Sequence, residues 1–267
     1  MIRRAWIFTL QAVALAAGLL FLILPVLAIL THTAPGKLLD ALGDPAVGDA
    51  LRLSLETSSM AIAAILLLGT PAAYLLATRV FFGRAAVTTV LELPLVLPPA
   101  VAGIGLLAAL GPQGILGGAL RAMHIQLVLQ TAGVVVAVAF VSAPLYVRQV
   151  QAAFESVDRQ LLDAARTLGA GEAGTFVRVA LPVALPGLVS GLALAWGRAL
   201  GEFGATLMFA GSFRGVTQTV PLAIYDRFAT DFSGALALSA ILVAVSAALL
   251  LIVKRASGRL ALTVAGG

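Results

Sequence analysis

Residues 234–253 read GALALSAILVAVSAALLLIV, twenty consecutive positions without a charged side chain. A helix needs about 20 apolar residues to cross the hydrocarbon core of a bilayer. Lys254 and Arg255 follow at once, as expected where a membrane-spanning helix reaches water. This stretch therefore predicts a transmembrane helix.

Similar apolar stretches recur along the whole chain. It is 61% apolar and 11% charged, whereas soluble domains are about 45–50% apolar and about 25% charged. The connections between the stretches are short, and residues 221–228 suit a short helix at the membrane surface. We therefore predict an all-α integral membrane protein with one polytopic domain over residues 1–267. Six spans are expected, at residues 5–30, 57–78, 85–110, 125–147, 183–210 and 234–253.

Basic residues set the predicted orientation through the positive-inside rule. With the N-terminus inside the cell, both termini and residues 148–182 are cytoplasmic. The inner group is then Arg3, Arg4, Arg79, Arg84, Arg148, Arg159, Arg166, Arg178, Lys254, Arg255 and Arg259. The outer group is only Lys37, Arg52, Arg121, Arg214 and Arg227. This bias accounts for the net charge of +5. The sequence contains no patch of basic and aromatic residues that would indicate a nucleic-acid partner.

The cytoplasmic segment 148–182 carries a helical pattern. Apolar residues recur from Arg148 to Gly169 at near-helical spacing with charges between them, which predicts one amphipathic helix. Gly169 and Gly171 are expected to end it, and a second short helix is expected to run to Pro182. A solvated loop does not need such spacing. We therefore interpret the segment as a helix on which a partner protein docks.

No enzyme chemistry is visible in the sequence. The chain lacks the G-x-x-x-x-G-K-[ST] phosphate loop, the H-E-x-x-H zinc motif and the G-x-S-x-G nucleophile motif. It has no cysteine and only two histidines, His32 and His124, too few for a typical histidine-based metal centre. We expect no catalytic residue, no metal site and no cofactor bound by this chain.

Three charged residues fall inside predicted spans: Glu92, Arg198 and Glu202. An ionised side chain at the bilayer centre costs roughly 2.5–3.5 kcal/mol on insertion scales, so it usually faces protein or water. Arg198 and Glu202 are four residues apart and can pair on one helix. Glu92 lies near Pro98 and Pro99, which interrupt helical hydrogen bonding. A structural role and a pore or gate role both remain open for these residues.

The polar segment 163–182 resembles the cytoplasmic "EAA" loop of ABC-importer permeases. Asp stands here for the usual Glu, and Val179 for the usual Ile. In that family the loop docks on the ATPase. The resemblance assigns this role to Asp163, Ala164, Ala165, Gly169, Gly171, Leu181 and Pro182.

Four other stretches narrow the resemblance to the molybdate/tungstate permease subunits. They are LGTPAAYLLA at 68–77, LPLVLPPAVAG at 93–103, LGEFGAT at 200–206 and TVPLAIY at 219–225. The Gly-Glu-Phe-Gly-Ala motif is shared with sulfate/thiosulfate permeases, so it marks oxyanion importers as a group. The similar region covers roughly residues 50–255.

The resemblance implies a type I ABC-importer permease in a bacterial or archaeal cell membrane. Its expected partners are a cytoplasmic ATPase dimer that holds ATP and Mg, a second permease copy, an external solute-binding protein and an oxyanion substrate. Thr206 joins Glu92, Pro98, Pro99, Arg198 and Glu202 as a candidate pore or gate residue.

Two alternatives stay open at this stage. A sulfate/thiosulfate permease shares much of the same sequence signature. A secondary transporter would need no ATPase-docking loop, and segment 163–182 argues against it. The sequence does not decide between molybdate, tungstate and sulfate.

Overall fold

The computed structural model describes the backbone of residues 2–265 and the side chains of residues 9–255. This part of the chain contains helices and no strand, which confirms the all-α prediction. The side chains of Arg3, Arg4 and Arg259, counted above for the orientation, lie outside the described ones. The helices are α1 Ile2–His32, α2 Pro35–Gly43, α3 Pro45–Thr78, α4 Arg84–Val96, α5 Pro99–Leu110, α6 Gly117–Ala122, α7 Thr131–Glu155, α8 Arg159–Thr167, α9 Glu172–Thr175, a π-helical turn Phe176–Ala180, α10 Leu181–Leu200, α11 Gly204–Ala210, α12 Val220–Phe228 and α13 Phe232–Ala265.

Within the described residues, five helical segments are long and apolar enough to cross a membrane. They belong to α1, α3, α7, the continuous helical run from α9 through α10, and α13. A sixth span results if the bent pair α4 and α5 counts as one. The predicted number of about six spans is therefore confirmed.

Two predicted spans have a different shape. Residues 85–110 form two helices, α4 and α5, whose axes differ by 118°. The predicted span 183–210 ends early, because α10 stops at Leu200 and a separate short helix follows. Both interruptions are important for the site described below.

Helix ends also differ from the predicted span limits. α3 begins at Pro45 rather than near residue 57, and α7 covers Thr131–Glu155 rather than residues 125–147. Hydropathy marks only the apolar part of a helix. Helical hydrogen bonding continues into the polar flanks until a capping group ends the helix.

The centre of the molecule is formed by α3, α7 and α10. Tyr146 of α7 is fully buried there, and its hydroxyl lies 2.7 Å from the hydroxyl of Thr70 on α3. Gly187 allows α10 to approach α7, because a Cβ at this position would lie only 2.3 Å from the Cβ of Ala153. Close contact between small residues is a general means of packing helices in membranes. This packing holds α10 in place along most of its length.

Asp44 fixes the junction between α2, α3 and α12. It caps α3, because its Oδ1 accepts a hydrogen bond from the backbone N–H of Ala46 at 2.8 Å, and its Oδ2 pairs with Arg227 of α12. The hydrogen bond from Arg227 is the main cause that lowers the pKa of Asp44, and the hydrogen bond from the Ala46 N–H is the next largest. α12 itself confirms the short helix predicted at residues 221–228.

Substitution of Asp44 tests this junction. Asp44→Ala removes the cap and the ion pair, and should lower the free energy of unfolding by about 1–2 kcal/mol. Asp44→Asn keeps a good capping acceptor and should cost less than about 1 kcal/mol. Thermal unfolding of the detergent-solubilised protein measures both effects.

The contribution of Asp44 to stability changes with pH in a defined direction. Because the folded protein lowers the pKa of Asp44, its ionic contribution is complete above the ordinary Asp value of about 3.9 and is lost as the pH falls from there through the folded value. The Tm difference between wild type and Asp44→Ala should therefore stay constant between about pH 8 and about pH 5. A difference that already disappears within this range would contradict the assignment.

Candidate functional site

The first helix interruption lies between α4 and α5. Leu97 and Pro98 separate these helices in an extended conformation, with ψ values of 132° and 136°. A residue that precedes proline is disfavoured in the α region, and here Pro98 and Pro99 follow each other. α5 restarts with Pro99 in its first turn, where a missing N–H is tolerated. The chain is thus interrupted where the two prolines predict it.

The second interruption lies between α10 and α11, at residues 201–203. Gly201 has φ −90° and ψ 3°, which any residue type adopts, so the break does not depend on glycine flexibility at this point. Ala199, one turn earlier, belongs to a buried cluster with Val138 of α7. Val138 lies seven residues from the start of α7, which corresponds to about 10 Å along the helix. The break therefore lies within the helical bundle.

The two interruptions pack against each other. A Cβ on Gly204, the first residue of α11, would lie 2.8 Å from the Cβ of Pro99 and 3.2 Å from the backbone nitrogen of Ala100. A Cβ on Gly103 would lie 2.7 Å from the carbonyl oxygen of Ala205. Only glycine permits these distances without displacement. The beginnings of α5 and α11 are therefore in direct backbone contact.

Glu202 connects the two helices on either side of the second interruption. Its side chain is 1% exposed, and its Oε1 accepts a hydrogen bond from the backbone N–H of Ala205 at 2.8 Å. Nη1 of Arg198 lies 2.6 Å from Oε2, and the Arg198 side chain is 32% exposed. The predicted pairing of Arg198 with Glu202 is confirmed, although Glu202 lies beyond the end of the helix that carries Arg198. One carboxylate thus binds an arginine and the first turn of α11.

The remaining candidate pore residues lie in two places. Thr206 is on α11 near Glu202; it is fully buried, and its hydroxyl has no hydrogen-bond partner among the described residues. Glu92 is on α4, and its Oε1 lies 3.2 Å from Nε of Arg148 on α7. Glu92 thus pairs with Arg148 rather than with Arg198. Sequence reasoning missed this pair, because no spacing rule relates positions on different helices.

The segment from Arg148 to Gly169 contains two helices rather than the single predicted helix over residues 148–169. α7 continues to Glu155, and α8 starts afresh at Arg159. The cause is Asp158, whose side chain caps α8 by accepting the N–H of Gln160 at 2.9 Å. Asp competes for backbone groups in this way and favours helix starts over helix interiors.

Gly169 ends α8, as predicted. It has φ +87°, a left-handed conformation that glycine adopts without strain. The predicted short helix up to Pro182 is wrong, because the chain stays helical from Glu172 to Leu200. Pro182 has no N–H and so removes one hydrogen bond of the regular helix, and the π-helical turn Phe176–Ala180 lies immediately before α10. The helical run from Glu172 nevertheless reaches the second interruption.

The candidate docking residues lie on an open surface. Ala165 and Leu181 are half-buried, whereas Asp163, Ala164, Gly169, Gly171 and Pro182 are exposed. Leu161 and Leu168 of α8 are also exposed, at 48% and 88%, while Leu162 packs inward. Two exposed leucines beside small residues form a surface suited to a protein contact.

Ion pairs connect this surface to the spans. Arg79 at the end of α3 pairs with Glu172 of α9, and Nη2 of Arg84 on α4 lies 2.8 Å from Oε1 of Glu155 on α7. These pairs are exposed, so each contributes little to stability. They do fix the position of the segment relative to α3 and α4.

Comparison with known proteins gives the family. The pattern of the family described as "Binding-protein-dependent transport system inner membrane component" matches residues 65–261. The chain belongs to this family. A molybdenum transport system permease protein ModB of Mycobacterium tuberculosis is 42% identical over 235 residues, 88% of this chain and 89% of that protein. The ModB of Escherichia coli K12 is 43% identical over 206 residues, 76% and 90% of the two chains. The probable transport system permease protein NifC of Clostridium pasteurianum is 38% identical over 237 residues, 87% and 82% of the two chains.

Solved structures support the fold of this permease. A bacterial ABC transporter that imports alginate matches with a TM-score of 0.77 at 18% identity, over 97% of both chains. The methionine ABC transporter MetNI matches with a TM-score of 0.62 at 19% identity, over 81% of this chain and 98% of that one. The importer-permease fold expected from the sequence is therefore confirmed.

The glycine contact between the interruptions is testable in this permease. Gly103→Ala should lower the free energy of unfolding by about 1–3 kcal/mol, because its Cβ meets the Ala205 carbonyl and Met208. Gly105→Ala is the matched control on the same helix, since nothing lies within 4 Å of its Cβ. Alanine there should be neutral or slightly stabilising. Equal Tm values for the two variants in detergent would show that the interruptions do not pack as described.

Proposed function

We propose that this chain is the membrane permease subunit of an ATP-driven importer that moves molybdate or tungstate into the cytoplasm. The observation that carries the proposal is the 42% identity to a molybdenum transport permease over 88% of the chain. The two packed helix interruptions support it, because irregular backbone inside a membrane protein is typical of sites that line a transport path.

The expected assembly contains two copies of the permease, a cytoplasmic ATPase dimer and an external solute-binding protein. ATP and Mg belong to the ATPase. Residues 163–182 are the proposed ATPase-docking element, with Asp163, Ala164, Ala165, Gly169, Gly171, Leu181 and Pro182 at the contact. This requires both termini at the cytoplasmic face of a bacterial or archaeal inner membrane, in agreement with the basic residues at that side.

The continuous helix from Glu172 to Leu200 provides a mechanical connection. It starts in the docking segment and ends at the interruption closed by Glu202. A displacement of the docking segment, when the ATPase closes on ATP, therefore moves the end of α10 relative to α11. Interfaces of this kind switch between discrete arrangements rather than deforming gradually. This converts nucleotide binding into a change at the pore candidates Pro98, Pro99, Arg198, Glu202 and Thr206, whereas Glu92 with Arg148 ties α4 to α7.

Substrate class is tested by uptake. Proteoliposomes that contain the permease, its ATPase and its binding protein should accumulate labelled molybdate only with ATP. Excess tungstate should block uptake, because tungstate and molybdate match in charge, shape and size, whereas excess sulfate, a smaller tetrahedral dianion, should have little effect. Strong competition by sulfate would move the assignment to the sulfate/thiosulfate branch. Uptake without ATP would contradict the importer itself.

The docking role is tested at Gly169. Gly169→Val places a β-branched residue at φ +87°, a strain of roughly 1–3 kcal/mol, and should reduce co-purification of the ATPase and its stimulation at least several-fold. Gly169→Asn should retain most of both, since Asn tolerates this conformation.

A matched control separates docking from general strain. Gly215 has φ +73° and open space around it, but lies on the predicted external side. Gly215→Val should therefore leave ATPase co-purification unchanged. If Gly169→Val binds and stimulates the ATPase like wild type, residues 163–182 are not the docking element.

A further inference from the structure

One face of α10 is open, and small residues lie on it toward the end of the helix. Val183, Ser190 and Leu194 of α10, and Gly201 directly after its end, are exposed and recur at helical spacing. Gly197, on the same face, has no atom within 4 Å of a Cβ placed on it. A face toward lipid is expected to carry large apolar side chains, since these are the cheapest to bury in hydrocarbon. The part of this face near Gly197 and Gly201 is therefore suited to contact with water or with a second protein surface.

Arg198 lies beside this open face, and its guanidinium remains 32% exposed. An arginine inside the membrane that faced lipid would be costly, so its exposed side is expected to meet water or protein. Guanidinium groups bind oxyanions through charge-assisted hydrogen bonds in fixed geometry. A bare Arg198 on a transport path would therefore bind the substrate tightly and delay its release.

From this geometry we infer that Glu202 is a built-in counter-anion that competes with the transported oxyanion for Arg198. This inference rests on the proposed function and assigns Glu202 a role within it. Glu202 is held in place by two contacts at once: the Ala205 N–H at 2.8 Å and Arg198 at 2.6 Å. Its Oε2 contact with Arg198 is an ion pair without the alignment of a hydrogen bond.

This arrangement explains how an arginine is compatible with transport. Sites that conduct ions must bind weakly enough to release them. In the absence of substrate the Glu202 carboxylate pairs with Arg198, so an arriving tetrahedral oxyanion must compete with it for the guanidinium. The oxyanion is held transiently and leaves when the Arg198–Glu202 pair re-forms. Glu202 thus acts as a positioning residue that sets the affinity of the pore for its substrate.

Glu202→Gln tests the inference, because Gln keeps an oxygen that can accept the Ala205 N–H and replaces the oxygen that faces Arg198 with an uncharged NH2 group, which cannot act as a counter-anion. The measurement is equilibrium binding of labelled molybdate to the purified permease–ATPase complex, without binding protein and without ATP. Glu202→Gln should bind molybdate at least about tenfold more tightly than wild type, the size of one charge-assisted contact. ATP-driven uptake by the variant should be slower, with a lower maximal rate, because release is delayed.

Three further variants complete the test. In Arg198→Gln with Glu202→Gln, the tight binding should be lost again, since no cation remains. Glu56→Gln is the matched control: Arg52 and Glu56 form an i, i+4 pair like Arg198 and Glu202, but at exposed positions outside the pore candidates. It should leave binding unchanged. If Glu202→Gln does not assemble with the ATPase, Glu202→Asp replaces it; its side chain is one methylene shorter, so a carboxylate that keeps the Ala205 N–H moves away from Arg198, and molybdate binding should also tighten.

Two results would overturn the inference while leaving the proposed function in place. One is wild-type affinity in assembled Glu202→Gln, or in Glu202→Asp where Gln fails to assemble. The other is tight binding that persists in the double variant or occurs equally in Glu56→Gln. If instead the wild-type assembly shows no ATP-driven molybdate uptake, the proposed function fails. The two failures are therefore distinguishable.

Discussion

Backbone hydrogen bonding is the constraint on which this structure depends. Inside a bilayer, each N–H or C=O without a partner costs several kcal/mol, so a helix is interrupted only where protein or water satisfies the freed groups. The permease meets this condition partly within each interruption, where the Pro98 carbonyl accepts the N–H of Ala102 and the Phe203 carbonyl accepts the N–H of Leu207. Gly103 and Gly204 allow the backbones to touch, and the Glu202 carboxylate accepts the N–H of Ala205. This places the Glu202 carboxylate inside the protein, where Arg198 balances its charge.

The same constraint relates the exposed surface around Gly169 to the interior of the protein. Because the helix from Glu172 to Leu200 has no break, the exposed segment after Gly169 and the interruption at Gly201 are two ends of one element. A π-helical turn before Pro182 accommodates the proline without ending the helix. The proposed docking segment and the candidate pore residues are thus joined by one helical run.

The sequence predicted the parts of this structure that depend on local chemistry. Apolar runs located the spans, prolines located the first interruption, and Gly169 located the end of α8, because each signal acts within a few residues. The second interruption was missed, since Glu202 is the single charged residue among residues 200–210 and hydropathy does not register a bend. The Glu92–Arg148 pair and the contact of Gly204 with Pro99 were also missed. They join separate helices, and no pattern within one helix encodes them.

Water access to the second interruption is most directly tested by cysteine labelling, and the chain has no native cysteine to interfere. Gly201→Cys is compatible with the backbone there and lies on the open face of α10. Leu68→Cys, on α3, is the comparison, since Leu68 is 71% exposed but belongs to an apolar span. In proteoliposomes, a charged, water-soluble thiol reagent should modify Gly201→Cys rapidly and Leu68→Cys hardly at all. Equal, slow modification of both would contradict a transport path at this interruption.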